Sequence, residues 1–278
     1  MKKNNVLFIS RLIILTSVSI FVISSCHKPA TTEDTGYATE QFTSEKTFND
    51  VQTIADQASN LTSSGSLNYR TSGTTFGPCA TVTKTPGNIV IDFGNTDCTC
   101  LDGRTRRGKI LITYTGKYGD SGSIHSITFD NFYQNDNKVT GTKTVTNLGH
   151  NALGQPYFNV SVTGSVTLAG GGTVYADWTR VRTWTNGYNT PTDCSDDVYS
   201  ISGSGKITRA NGTIVSVNIS TATPLIVAHN CKWIEAGTII FTLPNGLNRT
   251  LDYGETPNCD NLAVVTLANG KTKNITLP

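Results

Sequence analysis

Signatures of enzyme chemistry are missing from this sequence. There is no Gly-x-Ser-x-Gly elbow, no His-Glu-x-x-His pair and no Cys-x-x-Cys pair. Their absence withdraws the nucleophile of a hydrolase elbow, a zinc-protease site and a thioredoxin-type redox centre. Histidine is scarce as well. Of the four, His27 lies near the N-terminus, and His125, His150 and His229 stand alone without ligand spacing. "SISGSGKIT" lacks the first glycine of a phosphate loop, and Ile207 follows Lys206 where Ser or Thr belongs. No catalytic residue, metal or cofactor is assigned. Charged residues are only 15% of the chain and the formal net charge is +2, without the basic excess that nucleic acid demands.

What the chain does have begins at its N-terminus. Lys2, Lys3 and Arg11 precede an apolar run from Leu12 to Ile23, which ends in Ser24, Ser25 and Cys26. The run has the length of a secretory h-region and is too short for a spanning helix. Removing residues 1–25 takes three basic residues and no acid, so the formal charge falls from +2 to −1. Residues 27 to about 43 are polar and aperiodic and read as a flexible tether. Fully extended, they reach roughly 55 Å at about 3.3 Å per residue.

Beyond residue 43 the pattern changes twice. "TFNDVQTIADQASN" places Val51, Ile54, Ala55 and Ala58 on one helical face, with Thr47 and Asp50 spaced as a capping box, and predicts a short helix over 44–60. From 61 to 278 the period is two. In "YFNVSVTGSVTLA", Phe158, Val160, Val162, Val166 and Leu168 alternate with polar residues, which is a strand with one buried and one wet face. Similar segments recur at about 88–93, 109–116, 123–133, 138–147, 173–184, 197–208, 213–220, 236–243 and 262–276. Turn signals separate them, including Asn186-Gly187, Asn211-Gly212, Asn245-Gly246 and Asn269-Gly270. The expected fold is all-β, an antiparallel meander forming a sandwich-like or wrapped sheet.

Six cysteines follow Cys26: Cys79, Cys98, Cys100, Cys194, Cys231 and Cys259. In an exported chain an even count reads as disulfides. A short repeat narrows the pairing. "IVIDFGNTDCTC" at 89–100 returns as "RTLDYGETPNCD" at 249–260, with a cysteine before and after each Asp-aromatic-Gly. The expected bridges are Cys79 with Cys98 or Cys100, Cys231 with Cys259, and the remaining member of Cys98/Cys100 with Cys194. Each would contribute on the order of 3 kcal/mol in the chain-entropy model.

The residues "ISSC" at 23–26 resemble a bacterial lipoprotein lipobox, with Ile23 where Leu is more usual. That resemblance implies a diacylglyceryl group on the Cys26 thiol, palmitate-type acylation of the freed amine, and stable anchoring by two or more chains. His27, where Asp favours inner-membrane retention in some bacteria, points to the outer membrane. The "IDFG", "DGR…GKI" and "DYG…CDN" segments are similar to those of Thr/Gly-rich β lipoproteins of Bacteroidota. This likeness implies the anchor and the fold and carries no activity.

One stretch suggests a ligand. In "YADWTRVRTWTNGY", period two puts Trp178, Arg180, Arg182 and Trp184 on one strand face. Two rings bracketing two guanidinium groups suit stacking on a sugar, or stacking on each other over an open sheet. The basic hairpin of Arg104, Arg106, Arg107 and Lys109 reads as a solvated turn, and Asp193, Asp196 and Asp197 as a polar loop beside Cys194. The first expectation is a lipid-anchored envelope protein with a structural or interaction role, partnered by the membrane and by a glycan or another envelope protein. A glycan-binding module built on the Trp/Arg face is the alternative, and a carbohydrate-active enzyme with two converging carboxylates the third.

Overall fold

The computed structural model describes residues 34–60, 65–66, 80–190 and 193–278. The signal segment, Cys26 and Cys79 lie outside the described residues. One helix, α1 (Gly36–Asn60), precedes the strands β1 (Gly65–Ser66), β2 (Thr81–Thr85), β3 (Asn88–Asp92), β4 (Cys98–Thr99), β5 (Thr105–Tyr114) and β6 (Ile124–Gln134). There follow β7 (Asn137–His150), β8 (Pro156–Thr167), β9 (Thr173–Asn186), β10 (Val198–Thr208), β11 (Ile214–Ile219) and β12 (Leu225–Ala228). The series ends with β13 (Thr238–Thr242), β14 (Asn248–Asp252), β15 (Leu262–Thr266) and β16 (Thr272–Thr276). The fold is all-β, as the period-two pattern predicts.

All strands belong to one sheet, and the path from β1 to β16 visits them in chain order apart from β4, which pairs with β5, and β12, which pairs with β10. Every pairing is antiparallel, so this is a meander. The alternation in β8 and β9 sorts as expected: Phe158, Val160, Val162, Val174, Ala176 and Trp178 are buried, while Tyr175 and Val181 are exposed. Asn211-Gly212, Asn245-Gly246 and Asn269-Gly270 occupy hairpin turns, whereas Asn186-Gly187 opens the long β9–β10 connection.

The helix departs from expectation. It begins at Gly36 rather than near 44, so much of the stretch read as tether is helical. The reason is tertiary. Tyr37, Ala38 and Phe42 pack into a core with β11, β13, β14 and β15, and Asp34 Oδ1 accepts the Gly36 N–H at 2.9 Å. Thr47 lies in mid-helix, buried, and is not a cap. The second half of α1, from Phe48 to Ala58, packs into another core with residues of β2 through β9. The sheet therefore wraps around α1. Even Gln41, Glu45, Asn49, Asp50, Gln52 and Asp56 are buried, on a helix too polar to show its burial by periodicity.

The two Asp-aromatic-Gly segments share one backbone device. Asp92 Oδ1 accepts from Gly94 N (2.8 Å), Phe93 N donates to Gly108 O (2.9 Å), and Gly108 N donates to Gly94 O (2.7 Å). In the second copy Asp252, Tyr253, Gly254 and Gly237 make the same three bonds at 2.9, 3.0 and 3.0 Å. Both partner glycines have positive φ, and a Cβ there would sit 2.0 Å from Asn131 O or 2.1 Å from Pro224 O. The partner Gly108 lies on β5 in the first copy, and Gly237 lies just before β13 in the second, so what the two copies share is the turn and its three hydrogen bonds.

Cys231 and Cys259 are bridged, as expected. Cys98 is disulfide-bonded, and the expected bridge to Cys79 falls outside the described residues. The third expected bridge is not formed, because Cys100 and Cys194 are thiols. Cys100 is fixed in the core by strand pairing of its neighbours, while Cys194 lies on the β9–β10 connection beside α1.

Candidate functional site

Trp178, Arg180, Arg182 and Trp184 do share a face of β9, and that face looks inward onto α1. Trp178 is 3% exposed and Arg180 only 1%. Arg180 Nη2 pairs with Glu45 Oε2 at 3.0 Å and Arg182 Nη1 with Asp56 Oδ2 at 2.6 Å. The Arg180 guanidinium lies 4.7 Å from the Trp178 ring centroid. This corrects the reading of the face as a sugar platform: buried acids on a helix replaced the expected solvent, and the guanidinium groups are spent on them.

Trp184 is partly exposed and leads to a polar recess at the C-terminal end of α1. Its ring stacks on Tyr199, and the Arg182 guanidinium sits 3.4 Å from the centroid of that tyrosine. Trp184 Nε1 and Tyr199 OH donate to the two oxygens of Asp197, each at 3.1 Å. Burial pushes the Asp197 carboxyl up to about 6, against the opposing hydrogen bond of Tyr199 and the charge of Arg182. Gln57 Nε2 donates to Cys194 Sγ at 3.4 Å and lies 3.4 Å from His229 Nε2. Burial, together with the Asp197 charge, pushes the Cys194 thiol up, so it is protonated at neutral pH and a poor nucleophile. The recess has a volume of about 30 Å³, room for a water or two and not for a sugar. Asp196 and Asp193 serve the loop itself, accepting from Thr190 and from Ser195 N.

Of the basic hairpin, expected as a solvated turn, Arg107 and Lys109 are partly exposed, whereas Arg104 and Arg106 are buried. Arg106 is buried and grips Asp102 with two bonds of 2.9 and 2.6 Å, and Arg104 Nε pairs with Asp50 at 2.8 Å. Arg107 bridges Asp97 and Asp136, both at 2.6 Å, and Lys109 reaches Asp92 at 3.0 Å. Arg104 meets α1 at Asp50 and Arg107 meets the β6–β7 turn at Asp136, while Asp102, Asp97 and Asp92 are supplied by the hairpin, the segment before it and β3. Beside Arg104 a groove of about 450 Å³ opens over α1 between the β6–β7 and β8–β9 turns. That volume is in the range of small-ligand sites.

Comparison with protein-family models, curated proteins and solved structures gives no match. The chemistry must therefore be read from these residues alone. Sequence reasoning gave no site role to Lys46, Asp56 and Tyr199, and took Asp50 only as a cap partner and His229 only as a lone histidine. For those on α1, the one signal was a helix carrying too many acids for its amphipathic stripe.

Proposed function

We propose that this chain is a lipid-anchored cell-envelope protein, acylated on Cys26, held at the outer membrane, with a structural or interaction role for its β body. The observation that carries this reading is the basic segment, apolar run and Cys26 of the N-terminus. The position of α1 adds a constraint. Asp34 is pinned by Arg209, and its backbone carbonyl accepts from Arg249 Nη1 at 2.7 Å. Seven residues lie between Cys26 and Asp34, a contour of at most roughly 28 Å. That contour is about half the reach expected of a tether ending at 43. The inward aim of the Trp178/Arg180/Arg182 face favours this role over a glycan module built there.

Metabolic labelling with an alkyne fatty acid tests the anchor in cells of a bacterium with two membranes. The expected result is label on the full chain in the outer-membrane fraction and its loss in Cys26→Ser. A wild-type chain that takes up no label, or a Cys26→Ser chain that keeps it, would refute the proposal.

A further inference from the structure

The groove over α1 is built from two ridges of the helix. Thr39, Thr43 and Thr47 recur every four residues, as do Phe42, Lys46 and Asp50, and both rows line it. The walls come from the turns on either side, with Asn135 and Asn137 on one and Leu168 with Gly170 and Gly171 on the other, and Lys232 stands at the rim.

An inventory of hydrogen-bonding capacity shows what the groove lacks. Asp50 is the carboxylate side chain in its wall, and both its oxygens are taken, Oδ1 by Lys46 (2.7 Å) and Oδ2 by Arg104 (2.8 Å) and Gln134 (2.9 Å). The Asn135 side-chain oxygen accepts from Thr105 N at 3.0 Å, and that of Asn137 from Ala169 N at 2.9 Å. Their Nδ2 groups have no acceptor among the described residues. Lys46 is 8% exposed and uses one of its three N–H donors, on Asp50. Lys232 is exposed, with its ammonium 5.3 Å from the Trp233 ring centroid and no acid in salt-bridge range among the described residues. The unspent capacity is therefore two N–H donors of Lys46, the Lys232 ammonium, two amide N–H₂ groups and the threonine hydroxyls. Among the amine, amide and carboxylate side chains donors are in excess, while the threonine hydroxyls can also accept and the Pro278 carboxylate stands in the same wall. Burial, with the Arg104 charge beside it, also holds the Lys46 ammonium below its ordinary value in spite of Asp50, as expected where positive charge lacks a second counter-ion.

We infer that this groove binds a small anionic sugar, its carboxylate or phosphate placed between Lys46 and Lys232 and its hydroxyl oxygens on Asn135 and Asn137. Phe42 and Leu168 supply apolar surface for the C–H face of a sugar ring, and the volume suits a ligand of one or two rings. A carboxylated sugar and a phosphorylated one share the chemistry that the donors select, and direct binding separates them. This site is independent of the anchor and of the inward face of β9.

The test is calorimetric titration of the purified full chain in detergent with D-glucuronate, D-glucose 6-phosphate, D-glucose and inorganic phosphate. One of the two charged sugars is expected to bind at least about tenfold more tightly than glucose and than inorganic phosphate. Lys232→Glu, at an exposed position, should weaken that binding by about tenfold or more without lowering the melting temperature. Lys46→Gln should weaken it further, and its fold is checked by circular dichroism. Failure of both charged sugars to bind folded protein would overturn the inference. So would glucose or inorganic phosphate binding equally well, or unchanged affinity in Lys232→Glu.

Discussion

From Glu45 onward, α1 meets strands β5 to β9 with an apolar core and buried charge. Glu45 and Arg180 are 0% and 1% exposed in their side chains, and Asp56 and Arg182 are 11% and 6% exposed. Around its first turns, Gly36 to Phe42, β11 to β15 meet the helix with Phe241, Leu251 and Val265, and charge is pushed to the rim. There Arg209 pairs with Asp34, whose side chain is 46% exposed, and with Glu40 at 15%. One end of the helix is thus held chiefly by area removed from water and the other by area plus ion pairs that cannot be left unmade. Glu45 and Asp56 lie three turns apart on the same helix face, so a slip of one turn would strand both arginines. The buried end fixes the register of the helix, and the rim end mainly covers the core.

The contrast can be broken most severely at Glu45. Glu45→Ala leaves the Arg180 guanidinium buried without its acid and should cost about 3–5 kcal/mol in urea unfolding. Glu45→Leu combined with Arg180→Met should recover most of that loss, because it removes both charges and keeps the volume. Recovery of nothing would mean that the pair contributes net stability and is more than a register device.

Lys143 sharpens the comparison through pH. It is buried, donates to Phe48 O at 2.9 Å, and burial with the neighbouring Arg182 charge lowers its pKa to about 7. The unfolded value is near 10.4. Between those values the unfolded chain holds a proton that the folded chain does not, so stability should rise with pH across about 7 to 10, by up to about 1.4 kcal/mol per pH unit. Lys143→Met should flatten that rise. A wild-type curve without it, or a Lys143→Met curve that keeps it, would place the proton elsewhere.

The smallest effect belongs to the rim. Glu40→Ala removes one of two acids from Arg209, which stays paired with Asp34, and should cost about 1 kcal/mol or less. A loss as large as that of Glu45→Ala would erase the distinction between the two ends.

Much of the sheet was legible because period two leaves a trace wherever one face is buried. Every long strand from β5 to β11 falls within a few residues of its expected span. The turn chemistry was legible too, and the repeated Asp-aromatic-Gly marked a real hydrogen-bonded device. What stayed hidden was which faces meet. Trp178, Arg180 and Arg182 were placed on one face correctly, but a strand pattern does not say whether that face meets water or a buried acidic helix. The N-terminal half of α1 was read as tether because Tyr37 and Phe42 are separated by Thr, Glu and Gln, which gives no apolar stripe. Its helicity comes from contacts more than a hundred residues away, such as Tyr37 against Phe241, with ring centroids 4.8 Å apart. The groove was invisible for the same reason, since Lys46, Asn135 and Lys232 converge only once the sheet wraps.

Native-state hydrogen exchange of the α1 amides tests most directly whether the helix runs buried through the whole sheet. The account predicts that amides from Gln41 to Ala58 exchange only through global unfolding, with one free energy at both ends of that span. Fast exchange confined to residues 41–47, beside protection of 51–58, would contradict it and restore the first half of the helix to a tether.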